Sequence, residues 1–251
     1  MTREAQRRDW NDMAAIDPMW AVLSHRGKKH QGWNEAEFLA SGDKQVDELL
    51  RAADAIALPV GRDRVLDFGC GLGRLAPVLA RRFREYVGVD VSSEMVEQAR
   101  RIHASRPNCT FRVATEPGLF DVDDASTDLV VSFYVLQHVD DAATVLTSLA
   151  ALARILAPGG LLVVQLPSSV HPLMQAAHAG RRAAYRTLRA AGVRPDAVYR
   201  RLGLAPMSMR PRSEADVTSV LEAGGLRVVR VEHGRMGRAV ADRVYFAARD
   251  R

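Results

Sequence analysis

The sequence predicts an α/β protein built on a mostly parallel sheet with helices on both faces. Three observations carry this. Short apolar runs alternate with helical stretches from Arg64 to Leu166; the runs are nearly continuous in apolar residues; and the same rhythm resumes after residue 212. A strand buried on both faces reads as an unbroken apolar run, whereas a half-exposed strand alternates. At 251 residues and 47% apolar, the chain can bury one substantial core but has little room for a second domain.

The elements follow in order. Residues 1–60 read as a helical extension holding all three tryptophans, Trp10, Trp20 and Trp33. Asp17-Pro18 breaks its first helix, because a residue before proline avoids the α region. Asp43 is placed as the cap of a second helix, whose apolar positions Val46, Leu49, Leu50, Ala53 and Ile56 recur at helical spacing. Residues 64–166 form the core, with strands expected at Val65–Phe68, Val87–Val89, Thr110–Val113, Leu129–Val131 and Leu161–Gln165. Helices are expected at Arg74–Phe83, Ser93–Ala104 and Asp141–Leu156, the last ended by Pro158-Gly159-Gly160. Residues 168–212 are an arginine-rich helical insertion after the fifth strand, with Pro195 in a first helical turn and Val198, Tyr199 and Leu202 on one side. Residues 213–251 return to the core. Ser213 and Asp216 suggest a cap, Gly224-Gly225 a helix end, and Arg227–Val231 and Arg243–Ala248 a closing pair of strands.

Composition excludes several classes. Two cysteines, Cys70 and Cys109, cannot make a disulfide framework, and the charged N-terminus shows no apolar leader. No apolar run approaches the ~20 residues of a membrane span. These features predict a soluble cytoplasmic protein. The net charge of +5 comes almost wholly from arginine and by itself identifies no partner.

The chemistry concentrates in Val65-Leu66-Asp67-Phe68-Gly69-Cys70-Gly71-Leu72-Gly73, a strand entering a glycine loop. Such a loop brings the backbone close to a ligand, but dinucleotide enzymes use one too. Asp90, ending the second strand, can accept from ribose hydroxyls of either cofactor. Asp67 separates the alternatives, since a carboxylate at the mouth of the loop repels pyrophosphate and attracts an ammonium or a sulfonium. The Gly-x-Gly-x-Gly spacing also departs from the dinucleotide fingerprint.

These residues resemble the first motif of class I S-adenosylmethionine-dependent methyltransferases. Further landmarks of that family appear in order: Gly88-Val89-Asp90-Val91-Ser92, Asp128-Leu129-Val130-Val131-Ser132 and Leu156-Ala157-Pro158-Gly159-Gly160. The resemblance covers roughly residues 43–166. It implies a Rossmann-like, seven-stranded sheet with an antiparallel seventh strand, S-adenosylmethionine as cofactor, and S-adenosylhomocysteine as product. It places Gly69, Gly71 and Gly73 around the methionine part, Asp90 at the ribose, Val91 and Met95 against the adenine, and the Phe133 carbonyl at the amino group. Where the family often has an aspartate near the adenine, Glu116 in Thr115-Glu116-Pro117 is the substitute. The segment Asp17–Ser24 resembles the N-terminal extension of a bacterial subgroup associated with glycans and secondary metabolites.

His138, following the fourth strand, is the candidate general base for an oxygen acceptor, against the alternative of a loop-fixing or cofactor-touching histidine. His25, His30 and His171 stand behind it, and Trp20, Trp33 and Phe38 are candidates for a lid. The fifth strand runs into Leu166-Pro167-Ser168-Ser169 without the metal ligands of catechol-type enzymes, so no metal is expected, and Asp140 and Asp141 are read as helix caps. The insertion forms an acceptor cap in this family. Its arginines 181, 182, 186, 189, 194, 200, 201, 210 and 212 are either an anion site or a solvated helix face. The expected acceptor is a small polar molecule, such as a sugar or a secondary metabolite, anionic if those arginines bind it. RNA or another macromolecule is the rival acceptor, although the nucleic-acid Asn/Asp-Pro-Pro-aromatic signature is absent. A cofactor-binding protein without methyl transfer is the second alternative.

Overall fold

The computed structural model describes residues 3–56, 60–114 and 122–251. Seven strands form one sheet in the order β3-β2-β1-β4-β5-β7-β6. They are β1 (Arg64–Phe68), β2 (Glu85–Asp90), β3 (Cys109–Val113), β4 (Thr127–Ser132), β5 (Leu156–Val170), β6 (Arg227–Met236) and β7 (Val240–Ala248). The first five pair in parallel, and β7 runs antiparallel to both β5 and β6. The chain order reverses beside β1, so the crevice at the C-terminal ends of β1 and β4 is the topological place for a ligand.

The helices are α1 (Arg3–Ile16), α2 (Pro18–Val22), α3 (Glu35–Ala55), α4 (Ala76–Leu79), α5 (Ser93–Ile102), α6 (Ala142–Ile155), α7 (Pro172–Ala190), α8 (Pro195–Leu202) and α9 (Glu214–Ala223). Alternate strand residues feed opposite faces. Leu66, Val130, Leu162 and Val164 pack with Leu149, Leu152 and Leu221 of α6 and α9. Val65, Leu129, Val131 and Val163 pack with Val46, Leu49, Leu79 and Val96 of α3, α4 and α5. Both faces are apolar because both are covered. A third cluster, centred on Met13, Phe38, Leu72, Met95 and Tyr199, docks α1 and α8 over the end of the sheet.

Several expectations require correction. The cap of α3 is Asn34, whose side chain accepts from Ala36 N at 2.9 Å; Asp43 lies inside the helix and pairs with Arg81 at 3.0 Å. The predicted helix Arg74–Phe83 shrinks to α4; Pro77, lacking an N–H, bears on its early end, and beyond Leu79 the chain continues as turns. Strand β5 begins at Leu156 through an irregular Pro-Gly-Gly entry and extends to Val170, where β7 pairs with it beyond Gln165. Leu202 is 57% exposed, although Val198 and Tyr199 of the same helix are buried. Ser213 caps α9 by accepting from Asp216 N, as its spacing suggests.

Candidate active site

A cavity opens at the C-terminal ends of β1, β2 and β4. Its floor comes from Phe68, Gly69 and Gly71 of the first loop, Asp90 and Val91 after β2, and Phe133 to Leu136 after β4. Its walls are Met95, Ala114, Val139 to Asp141, Thr144 and Ser148, and Gln6, Trp10, Ala21 and Val22 from α1 and α2 form the roof. Among these described residues there are three carboxylates and no lysine, arginine or histidine.

The loop achieves its shape by turning its own amides inward. Gly69 N and Cys70 N donate to Val89 O at 2.7 and 3.1 Å, Gly73 N to Cys70 O at 2.9 Å, and Gly71 N to Asp90 Oδ2 at 2.9 Å. Asp90 Oδ1 accepts from Ser92 N at 2.8 Å. Both carboxylate oxygens are therefore oriented by backbone and retain lone pairs for a diol. Burial raises the pKa of Asp90, opposed by the Ser92 and Gly71 amides. At Gly71, φ is +53° and a Cβ would run into Val22 of the roof.

Of the predicted cofactor residues, Gly69, Gly71, Asp90, Val91, Met95 and Phe133 line this one cavity. Asp67 does not. Its carboxyl lies 3% exposed beneath the loop, where Oδ2 accepts from the Tyr86 hydroxyl at 2.8 Å. Burial there pushes its pKa up to about 6. Gly73 also lies outside: a Cβ there would sit 2.7 Å from His103 Nε2 and 2.8 Å from Phe111, so this glycine (φ +73°) serves close packing below the loop. Glu116 falls outside the described residues.

Of the two readings of His138, base or loop-fixing residue, the geometry fits the second. It sits in a small adjoining pocket with Asp9, Arg182, Met207 and Ser208, separated from the main cavity by Trp10, whose ring centroid is 5.2 Å from its own. Its Nδ1 bonds to the Ser208 carbonyl and its Nε2 lies 3.2 Å from the Gln137 amide nitrogen. The donor and acceptor pattern specifies the tautomer with the proton on Nδ1 and Nε2 accepting. Burial pulls its pKa down to about 4, against the Ser208 bond. With both nitrogens engaged, His138 ties the turn after β4 to the segment following α8. His25 meets Trp33 edge-on and His30 packs at a tilt against Tyr199, and neither they nor His171 line the cavity. Trp20, Trp33 and Phe38 pack within the lid cluster, and the aromatic roof is Trp10.

The arginines of the insertion divide: Arg181, Arg194, Arg200 and Arg201 are exposed, as a solvated face requires, whereas the others are engaged within the chain. Arg182 is 7% exposed and grips Asp140 through both terminal nitrogens, and Arg210 reaches the same carboxylate at 3.1 Å. Burial alone would raise the Asp140 pKa, but those two guanidinium bonds hold it well below the carboxylate range. Arg186 pairs with Asp9, and Arg189 with Asp12 at 2.8 Å, joining α7 to α1. Tyr185 and Tyr199 add hydroxyl bonds to Asp12 and Asp17 at 2.9 and 2.7 Å. Of the two acids read as caps, Asp141 caps α6, accepting from Thr144 N at 2.9 Å, and Asp140 does not. Among the described residues, no cluster of three potential ligands could hold a metal ion, and no helix is long and apolar enough to cross a membrane.

Comparison with known proteins accords with this geometry. Residues 66–164 match the family described as a methyltransferase domain. A ubiquinone biosynthesis O-methyltransferase of Paracidovorax citrulli is 37% identical over 109 residues, 43% of this chain and 44% of that protein. A trans-aconitate 2-methyltransferase of Methylobacterium radiotolerans is 35% identical over 152 residues, 57% of this chain and 54% of that one. The chain thus spans about half the length of the curated relatives it matches. The crystal structure of magnesium protoporphyrin IX methyltransferase from Synechocystis with bound SAH superposes with a TM-score of 0.62 at 20% identity, over 99% of both chains. Residues 66–164 thus match a methyltransferase domain, and the whole chain shares the fold of that solved methyltransferase.

Proposed function

We propose that the protein is a methyltransferase that takes S-adenosylmethionine in the cavity above Gly69 and Gly71 and methylates a small acceptor. The observation that carries this is the make-up of the cavity wall: no lysine, arginine or histidine lines it, Asp90 is its carboxylate without an arginine or helix-cap partner, and the Gly69, Cys70, Gly71 and Gly73 amides of the loop are already bonded. A pyrophosphate needs free amides at a helix N-terminus. Here Gly69, Cys70, Gly71 and Gly73 donate internally, and α4 is only four residues long. An acceptor-rich wall suits a ligand bearing an ammonium and a sulfonium.

The residues divide the work. Asp90 holds the ribose hydroxyls, Val91 and Met95 supply an apolar slot for the adenine, and the Phe133 carbonyl faces the amino group. When bound, the cofactor supplies a methyl group already activated on sulfur. What the chain must add is alignment of the acceptor and exclusion of water, and the roof of Gln6, Trp10, Ala21 and Val22 does both. The acceptor enters under this roof. It is neutral or cationic, because no arginine lines the cavity, and Arg182, Arg186, Arg189 and Arg210 are engaged by Asp140, Asp9 and Asp12. The names of relatives that specify an O-methyltransferase favour oxygen as the atom methylated.

The test is incubation with methyl-deuterated S-adenosylmethionine and fractionated small-molecule extracts, followed by mass spectrometry. Deuterated methyl on a neutral or cationic product is expected. Cofactor binding without labelled product from any extract would reverse the catalytic reading in favour of a binding protein.

A further inference from the structure

Tyr134, two residues beyond β4, has φ +63°, a left-handed conformation that a tyrosine keeps only where its surroundings hold it. What holds it is a side chain of the neighbouring strand. Tyr134 N–H donates to Gln165 Oε1 at 3.1 Å, and Gln165 Nε2 donates to Asp242 Oδ2 of β7 at 3.2 Å. Gln165 is 2% exposed. Its amide has one workable orientation, since reversal would set a donor against a donor and an oxygen against a carboxylate. Gly234, opposite Asp242 in β6, leaves the room: a Cβ there would lie 2.6 Å from Asp242 Oδ1.

The consequence reaches the cavity through the peptide between Phe133 and Tyr134. In a trans peptide the N–H and C=O point in opposite directions, and the described chain has no cis bond. β4 lies between β5 and β1. With the N–H drawn towards Gln165 on β5, the Phe133 carbonyl is turned towards β1, where Phe68 and Gly69 line the cavity.

We propose that Gln165, held by Asp242, is a positioning residue that aims the Phe133 carbonyl at the ammonium of the cofactor's amino-acid part. This rests on the S-adenosylmethionine reading above. Gln165 touches no reacting atom; it acts through the Phe133–Tyr134 peptide.

Titration calorimetry on the full chain tests it with two probes. S-adenosylhomocysteine carries the amino-acid part, and 5′-methylthioadenosine keeps the nucleoside without it. Gln165→Leu is expected to weaken S-adenosylhomocysteine about tenfold to a hundredfold, the range for a hydrogen bond to a charged group, and to leave methylthioadenosine within about twofold. A general loss of structure would weaken both. Gln165→Glu should behave like the leucine variant, because two carboxylates then face each other. Adding Asp242→Asn should restore tight S-adenosylhomocysteine binding, since the new amide donates to the new carboxylate. This pair decides the matter where Gln165→Leu does not fold. Equal weakening of both probes, no weakening of either, or no recovery in the double variant overturns the positioning role. Failure of the wild-type chain to bind either probe overturns the cofactor reading, and this proposal with it.

Discussion

The floor of the cavity and its roof are held by different kinds of contact. Under the floor, short bonds from backbone amides join neighbouring loops: Gly69 and Cys70 donate to the Val89 carbonyl, and Gly71 and Ser92 to the one side chain involved, the Asp90 carboxylate. In the roof, polar side chains far apart in sequence join α1 and the residue after it to α7 and α8, with Asp9 bonded to Arg186, Asp12 to Arg189 and Tyr185, and Asp17 to Tyr199. Backbone bonds are indifferent to salt and survive most side-chain changes. Ion pairs depend on both partners, on pH and on ionic strength. The floor is therefore a fixed binding surface and the roof a fastened cover whose hold can be weakened separately.

The Asp140 cluster is where roof and floor meet, and breaking it should have the largest effect. Asp140→Ala strands Arg182, almost fully buried, and Arg210 without their shared carboxylate. Loss of one partner of a buried pair costs about 3–5 kcal/mol, to be read from urea unfolding at neutral pH. A loss below 1 kcal/mol would show that the cluster is solvated and that roof and floor are not joined there.

Next is Asp90, the floor's charged group. Asp90→Ala should weaken S-adenosylhomocysteine about a hundredfold or more, since it removes bonds to a charged acceptor and the partner of Gly71 N. The Asp9–Arg186 and Asp12–Arg189 pairs should still form, visible as unchanged protection of α1 from proteolysis. Loss of that protection would mean the two regions are not separable.

Asp67 sharpens the comparison from below the floor. Its folded pKa of about 6 stands above the ordinary carboxylate value of 3.8, so the folded state binds the proton more tightly. Its contribution is present in full below about pH 4 and is lost as pH rises through 6. Asp67→Asn cannot titrate. Between pH 4 and pH 7 its stability relative to wild type should rise by about 2 kcal/mol. An unchanged difference across that range would show that burial beneath the loop does not raise the Asp67 pKa.

The smallest effect belongs to the roof. Asp9→Asn with Asp12→Asn should lower stability by about 1 kcal/mol, because these pairs are partly exposed. Proteolysis of α1 should become faster, and raising salt should produce the same change in the wild type. Salt-independent cleavage would transfer the hold of the roof to the apolar contacts of Met13, Phe38 and Tyr199.

The floor was readable in the sequence because its parts are local. Gly69, Gly71 and Asp90 sit at strand ends, where strand pattern and glycine spacing place them without knowledge of distant residues. Asp67 and Gly73 belong to the same motif yet serve packing beneath the loop, a distinction that spacing cannot make. The roof was not readable in this way. Trp10 and Gln6 reach the cavity only because α1 is pinned to α7, by pairs such as Asp12–Arg189 that lie 177 residues apart. The arginines of the insertion left an anion site and a solvated face open, and spacing could not show that Arg182, Arg186, Arg189 and Arg210 pair with carboxylates of the same chain. His138 had the right position after β4 for a base, but the Ser208 carbonyl that engages it lies 70 residues away. Gln165 carried no signal at all, since a glutamine at the end of an apolar strand reads as an ordinary strand terminus.

The central claim is that this floor takes a cationic nucleoside cofactor and rejects a pyrophosphate. Titration calorimetry of the wild-type chain with S-adenosylhomocysteine and, separately, with NAD tests it most directly. One-to-one binding of S-adenosylhomocysteine with no heat from NAD is the predicted result. Binding of NAD with no response to S-adenosylhomocysteine would contradict the account at its base.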